Sequence, residues 1–80
     1  LLSSPGAHAD GDSYINDLEQ SGYTYTESRK DLLEWGYAVC NDEVLHGLSR
    51  EEVVRNVASG NSMTFDAALY LVESAEIHLC

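Results

Sequence analysis

Basic residues are scarce in this 80-residue chain. Four Lys and Arg residues stand against 14 Asp and Glu residues, which gives a formal net charge of −10. Contacts with phosphate draw on Lys and Arg, so this balance argues against nucleic acid as a partner and opposes binding to an anionic membrane. An acidic surface usually serves only to keep an exported protein unassociated, and a basic partner protein is the alternative.

Cysteine is also scarce: Cys40 and Cys80 are the two in the chain. A chain of this length has room for one domain and buries only a modest fraction of its surface, so a covalent cross-link adds much to its stability. We predict a disulfide between the two residues, worth about 4 kcal/mol in the chain-entropy model. The alternative is a pair of buried free thiols in a cytosolic protein.

The first nine residues are typical of the end of a secretory signal peptide. They combine an apolar start, a Pro-Gly pair and small residues at alternating positions. We predict cleavage between Ala9 and Asp10, so that residues 1–9 are a signal-peptide remnant, disordered or removed. Residues 10–80 then form a single helical domain. The alternative is a floppy tail, which is equally outside the core.

No long hydrophobic run follows this segment. A helix that spans a bilayer needs about 20 mainly apolar residues, and no cysteine directly follows the predicted cleavage site to carry a lipid. We therefore expect a secreted protein, extracellular or in the cell envelope, without a membrane span. An oxidising compartment also suits the predicted disulfide.

Hydrophobic periodicity predicts four short helices and no sheet. Tyr23–Thr26 is too short to be a strand without a partner, and we interpret it as a connector. The predicted helices run from about Asp12 to Ser21, from Thr26 or Ser28 to about His46, from Arg50 to Ser59–Asn61, and from Thr64 to the last residues.

The second predicted helix has an inner stripe that includes a glycine. Gly36 costs roughly 1 kcal/mol of helix propensity relative to alanine, which suggests that another backbone passes close to it. Trp35 falls on the opposite side, and is either exposed or covered by another segment. The predicted stripe consists of Leu32, Leu33, Gly36, Tyr37, Cys40 and Val44.

The third and fourth helices have clear start signals. Ser49 and Glu52 form a predicted capping box, with Leu48 and Val53 as a hydrophobic staple. Thr64 is the predicted cap of the fourth helix. The predicted inner stripe of that helix consists of Phe65, Ala68, Leu69, Val72, Ala75 and Leu79.

Tyr70 and Ile77 lie together off the stripe of the fourth helix, where apolar surface reaches solvent. Glu76 lies at the edge of the stripe. We expect it to pair with Arg29 or Arg55 rather than to act in catalysis.

The pattern resembles a known family. Its firmest elements are Gly36-x-x-Val39-Cys40 in the second helix and Cys80 after the last, together with Asp12-x-Tyr14-Ile15-x-x-Leu18-x-x-x-Gly22, Gly47-x-Ser49 and Phe65-x-x-Ala68 through Ala75 to Cys80. These residues resemble the mycobacterial secreted domain-of-unknown-function family numbered seven-three-two, over Asp12 to Cys80. The resemblance implies a small exported helical protein with paired cysteines and no established activity. Members of that family often carry a proline after the last cysteine, whereas this chain stops at Cys80.

Catalytic machinery and metal ligands are poorly represented. His46 and His78 lie near predicted helix ends, where the helix dipole favours histidine. His46 shares a face with Asp42 and Glu43, which could together bind a metal ion weakly. A closed zinc site needs four ligands, and the two cysteines are predicted to form the disulfide instead. No serine has the glycine flanks of a nucleophile elbow. We predict no enzymatic activity, no cofactor and no metal site.

Two binding hypotheses remain for this all-α, four-helix domain stapled by one disulfide. The first is a monomeric protein–protein interaction module whose candidate interface is Trp35, Tyr70 and Ile77, because exposed aromatic and apolar side chains are typical interface anchors. The alternative is a carrier that holds a small apolar molecule between its helices.

Overall fold

The computed structural model describes the backbone of residues 6–80 and the side chains from Asp10 onward. Within this range the chain is all-α, with no strand, which confirms the predicted fold class. The four helices are α1 Gly6–Gln20, α2 Arg29–Val44, α3 Arg50–Asn61 and α4 Phe65–His78. None of these helices is long and apolar enough to cross a membrane.

Helix α1 begins earlier than the sequence predicts. Its first turn includes residues 6–9 of the predicted signal-peptide remnant, while residues 1–5 lie outside the described part of the chain. Gly11 is buried, and a Cβ at this position would lie 3.4 Å from Cδ2 of Leu33 in α2. This packing against α2 outweighs the weak helix propensity of the glycine. The cleavage of residues 1–9 stays a prediction.

The predicted helix caps are present. Ser28 and Thr64 accept hydrogen bonds at 3.1 Å from the backbone N–H groups of Asp31 and Ala67. Ser49 and Glu52 form the complete reciprocal capping box of α3. These bonds satisfy backbone donors that a helix start leaves without intrahelical partners.

The helices end close to the positions that the sequence predicts. Gly22 and Gly47 adopt positive φ angles of 91° and 67° after α1 and α2, as expected for glycines that end helices. Helix α3 continues through Gly60 to Asn61, and Ser62 takes the left-handed conformation at φ 54°. The sequence predicts that this helix ends at Ser59–Asn61, and its last residue lies in that range.

Helix α4 is the centre of the bundle, since the three most extensive helix–helix contacts all involve it. Its small residues Ala68, Ser74 and Ala75 let neighbouring helices approach closely, and all three are buried. The largest fully buried side chains are Tyr14, Leu18, Leu71, Val39, Val53, Val54 and Val72.

The inner face of α2 is rotated from the predicted stripe. Leu32, Gly36 and Val39 are its buried residues, whereas Tyr37 is 44% exposed and Val44 is 73% exposed. The predicted stripe was based on the spacing of apolar residues. It left out Val39, which is buried, and included Tyr37 and Val44, which are exposed.

The inner face of α4 is also wider than one stripe. Its buried residues are Ala67, Ala68, Leu71, Val72, Ser74 and Ala75. Phe65, which the sequence placed inside, is 52% exposed at the first turn. Helix α4 has extensive contacts with all three neighbours and so buries a broad arc, which a single hydrophobic stripe underestimates.

The predicted disulfide is confirmed. Cys40 in α2 and Cys80 beyond α4 are joined with an S–S distance of 2.03 Å and a Cα–Cα distance of 5.4 Å. The bond fixes the C-terminal ends of α2 and α4 at the same end of the bundle. We call this end the staple end.

Candidate functional site

The Asp17 carboxylate of α1 contacts three side chains of α4. Oδ1 of Asp17 accepts a hydrogen bond from the Tyr70 hydroxyl at 2.6 Å, and Oδ2 accepts one from the Ser74 hydroxyl at 2.8 Å. Nε2 of His78 lies 3.2 Å from the same Oδ2. We call Asp17, Tyr70, Ser74 and His78 the Asp17 cluster.

The charge of Asp17 is well stabilised in this cluster. The hydrogen bond from Tyr70 contributes most to lowering the pKa of Asp17, and the bonds from Ser74 and His78 add to it against the effect of desolvation. The same contact raises the pKa of the Tyr70 hydroxyl, because a bond to a carboxylate favours the protonated phenol.

The Asp17 cluster contains serine, histidine and aspartate, but its geometry is not that of a nucleophilic triad. In a triad the serine hydroxyl faces a histidine nitrogen and the carboxylate lies behind the histidine. Here Ser74 and His78 both face the same oxygen of Asp17. Ser74 is also 2% exposed, so its hydroxyl is not open to a substrate. The arrangement links α1 to α4.

Sequence reasoning missed the Asp17 cluster. The signal in the sequence is the four-residue spacing of Tyr70, Ser74 and His78, which places three polar groups on one face of α4. Their common partner lies 53 to 61 residues earlier in the chain. No local pattern connects the two segments.

The three residues of the predicted interface have different surroundings. Trp35 is half-buried and packs against the hydrophobic core. The Tyr70 hydroxyl is bonded to Asp17, and its ring centroid lies 5.7 Å from that of Tyr23 in the connector. Ile77 is 75% exposed. Of the three, Ile77 has the side chain that is free to meet a partner.

Two more apolar side chains are exposed at the end of α2, the helix that the disulfide joins to the end of α4. Val44 and Leu45, at the C-terminal end of α2, are 73% and 72% exposed. They follow Cys40 by four and five residues, and Ile77 precedes Cys80 by three. The disulfide therefore holds both groups at the staple end. We call Val44, Leu45 and Ile77 the staple-end surface.

An ionic cluster lies beside the staple-end surface. Arg50, the first residue of α3, places its guanidinium 2.7 Å from Oε1 of Glu76 and 3.8 Å from Oε2 of Glu73. The predicted partners of Glu76 were therefore wrong, because Arg29 pairs with Asp12 and Arg55 with Glu51. The α3 N-terminus reaches the last turns of α4, a tertiary contact that the sequence does not reveal.

Glu43 of α2 completes this cluster. Its side chain is within hydrogen-bonding reach of Glu76. Desolvation and the interaction with this second carboxyl group raise the pKa of Glu43 to about 7.

No group of three or more His, Cys, Asp or Glu side chains among the described residues is arranged to hold a metal ion, and this includes Asp42, Glu43 and His46.

Two clefts lie beside the connector. One cleft of about 410 Å³ is bordered by α1 and the start of α2, and a second of about 340 Å³ extends toward the α3–α4 turn. Tyr23, Thr24 and Glu27 line both clefts. The carrier hypothesis placed its ligand between the amphipathic helices. The first cleft includes Ile15 and Leu18 of α1 and Leu32 of α2 in its lining, and the segment between the two helices forms most of the remaining wall.

Comparison with known proteins assigns a family. None of the curated proteins and none of the solved structures matches the chain. The family model described as "Protein of unknown function (DUF732)" matches residues 9–80, which include all the residues of the Asp17 cluster, the staple-end surface and the disulfide. The chain belongs to this family of proteins of unknown function.

Proposed function

We propose that this protein is an exported binding module that recognises a partner protein through the staple-end surface. The observation that carries the proposal is the exposure of Val44, Leu45 and Ile77, each at least 72% accessible to solvent. Large apolar side chains that remain exposed in a small domain commonly serve as interface anchors.

The disulfide supports a rigid presentation of this surface. It ties α2 to the end of α4 through Cys40 and Cys80, whose Cα atoms are 5.4 Å apart. Side chains held in a fixed arrangement lose less conformational entropy on binding than those on a mobile segment. The staple end therefore offers a preorganised binding surface.

The charge of the protein suggests the chemistry of the partner. Asp42, Glu43, Glu73 and Glu76 lie in the last turns of α2 and α4, and the whole chain carries a formal charge of −10. A partner with an apolar centre and a rim of Lys and Arg would match this surface. Complementary charge of this kind speeds association and excludes acidic competitors.

Export belongs to the same proposal. Disulfides persist in oxidising compartments, and in this fold the Cys40–Cys80 disulfide joins α2 to the end of α4. The signal-like residues 1–9 and the mycobacterial origin implied by the family resemblance fit this view. Binding without catalysis is proposed because the Asp17 cluster connects helices and presents no accessible nucleophile.

The test is affinity capture from culture filtrate of the producing organism, with quantitative mass spectrometry. The bait variant Val44→Ser/Leu45→Ser/Ile77→Ser removes the staple-end surface, and Phe65→Ser is the matched control, since Phe65 is 52% exposed at the opposite end of α4. We expect a basic protein that wild type and Phe65→Ser retain and the triple variant loses. Circular dichroism establishes that all three baits are folded.

Salt gives a second readout of the same interaction. Capture by complementary charge weakens as ionic strength rises, because salt screens exposed charges. If the triple variant retains the same basic proteins as wild type, the staple-end surface is not the binding site.

A further inference from the structure

One oxygen atom at the seam between α2 and α4 has no partner. Oε2 of Glu43 is buried and lacks a hydrogen bond among the described residues. The neighbouring carboxyl group is that of Glu76, whose own charge is matched by Arg50 at 2.7 Å. A buried acceptor without a donor is unfavourable as part of a carboxylate, whereas a protonated Glu43 carries one O–H group that can donate to the Glu76 carboxylate.

The surrounding charges fit this arrangement. From the elements packed against this part of α2, Glu76 of α4 and Arg50 of α3 act on Glu43, and Glu73 of α4 reaches the same Arg50 at 3.8 Å. Helix α1 contributes none of the charged groups that act on Glu43. One guanidinium therefore serves two nearby carboxyl groups of α4, and Glu43 has no cation of its own.

The pKa values of the two carboxyl groups are shifted in opposite directions. Desolvation and the hydrogen bond to Glu76 raise the pKa of Glu43 to about 7. Desolvation acts to raise the pKa of Glu76 as well, but hydrogen bonds from Arg50 and Glu43 outweigh it, and the pKa of Glu76 is lowered. Two carboxyl groups this close cannot both ionise freely, so one retains its proton.

We propose that Glu43 and Glu76 share one proton across the seam between α2 and α4, and that loss of this proton loosens the staple-end surface. The device deepens the proposed function and rests on it, because Val44 and Ile77 directly follow the two carboxyl residues in the chain. The ends of α2 and α4 that carry this surface are held together more firmly in mildly acidic surroundings than above neutral pH. Binding to a partner then depends on pH.

The direction of the effect follows from the raised pKa of Glu43. The folded protein holds this proton more tightly than the unfolded chain, in which Glu43 has its ordinary pKa of 4.5. The resulting stabilisation is present below pH 4.5, declines as the pH rises, and is lost above about pH 7. The groups with lowered pKa values, such as Asp17 and Glu52, act at lower pH and do not overlap with the upper part of this window.

The first experiment is an NMR titration of the glutamate side-chain carboxyl carbons between pH 4 and 9. We expect Glu43 to titrate near pH 7 and Glu76 below its usual range. Glu43→Gln keeps a donor toward Glu76 but has no proton to lose, and Glu19→Gln is the matched control at an exposed glutamate of α1.

The second experiment measures amide hydrogen exchange at residues 43–45 and 76–78, with rates corrected for the intrinsic effect of pH. In wild type and Glu19→Gln we expect protection at these amides to fall severalfold between pH 5 and 8. In Glu43→Gln we expect the protection seen at pH 5 to persist at pH 8.

Titration of Glu43 at pH 4 to 5 would overturn the shared proton. Equal protection of wild type at pH 5 and 8, with Glu43 titrating near pH 7, would overturn the link to the staple-end surface. Neither result depends on a partner, so failure of this device is distinguishable from failure of the capture experiment.

Discussion

The ring of Tyr14 occupies the space that a side chain at position 36 would need. A Cβ built on Gly36 would lie 2.8 Å from Cζ of Tyr14 and 2.5 Å from Cδ1 of Leu79, closer than packed carbon atoms approach. The Tyr14 hydroxyl donates a hydrogen bond at 2.7 Å to the backbone oxygen of Leu32 in the same helix as Gly36. Gly36 is thus the position at which α2 accommodates both α1 and the end of the chain.

Gly36→Ala is expected to lower the free energy of unfolding by about 1–3 kcal/mol, the usual cost of overpacking a core. The added methyl group must displace the Tyr14 ring and Leu79, and this cost exceeds the gain of roughly 1 kcal/mol in helix propensity. Urea denaturation followed by circular dichroism measures the difference.

Gly60→Ala is the matched control for this prediction. Gly60 also lies inside a helix, but a Cβ there would meet nothing within 4 Å. This change should raise the free energy of unfolding by about 0.5–1 kcal/mol. If both alanine variants shift stability in the same direction and amount, the close approach at Gly36 is not what sets the cost.

Removal of the disulfide is expected to lower the free energy of unfolding by about 4 kcal/mol in the chain-entropy model, for a bond that closes a separation of 40 residues. Small domains have about 5–15 kcal/mol in total. Thermal melts with and without reductant, and of Cys40→Ser/Cys80→Ser, measure this loss. A double variant that melts at the wild-type temperature would contradict it.

Asp17→Asn is expected to lower stability at neutral pH by about 1–3 kcal/mol, because the buried Ser74 hydroxyl loses its acceptor or must share a weaker one. The pKa of Asp17 is lowered on folding, so its contribution is present above the ordinary value of 3.8 and is lost as the pH falls through the folded pKa. Denaturation curves should therefore show a smaller difference in stability between wild type and Asp17→Asn at pH 3 than at pH 7.

Asp10→Asn is the control for that comparison, since Asp10 is an exposed carboxylate of the same helix. It should leave stability nearly unchanged at pH 7. If the gap between wild type and Asp17→Asn is the same at pH 3 as at pH 7, the ionised form of Asp17 is not the stabilising species.

The features that the sequence predicted best are those built from neighbours along the chain. Ser28, Ser49 and Thr64 each bond to a backbone group three residues ahead, so a short pattern contains all of the interaction. The disulfide was also predictable, because two cysteines allow a single intramolecular pairing.

The features that the sequence did not predict depend on how the helices are rotated against one another. Val39 is buried and Val44 exposed on the same helix, and apolar character alone does not distinguish them. Asp17 meets Tyr70 and Arg50 meets Glu76 across 53 and 26 residues. Such pairs are fixed by the packing of small residues along α4, which sets helix orientation.

The position of the Cys40–Cys80 bond has a consequence for resistance to proteases. The turns at residues 45–49 and 62–64 both lie inside the covalent ring that it closes. A single peptide-bond cut in either turn adds one water molecule and leaves both fragments attached to each other. The nicked molecule keeps its helices within reach of their native partners, and only reduction sets the pieces apart.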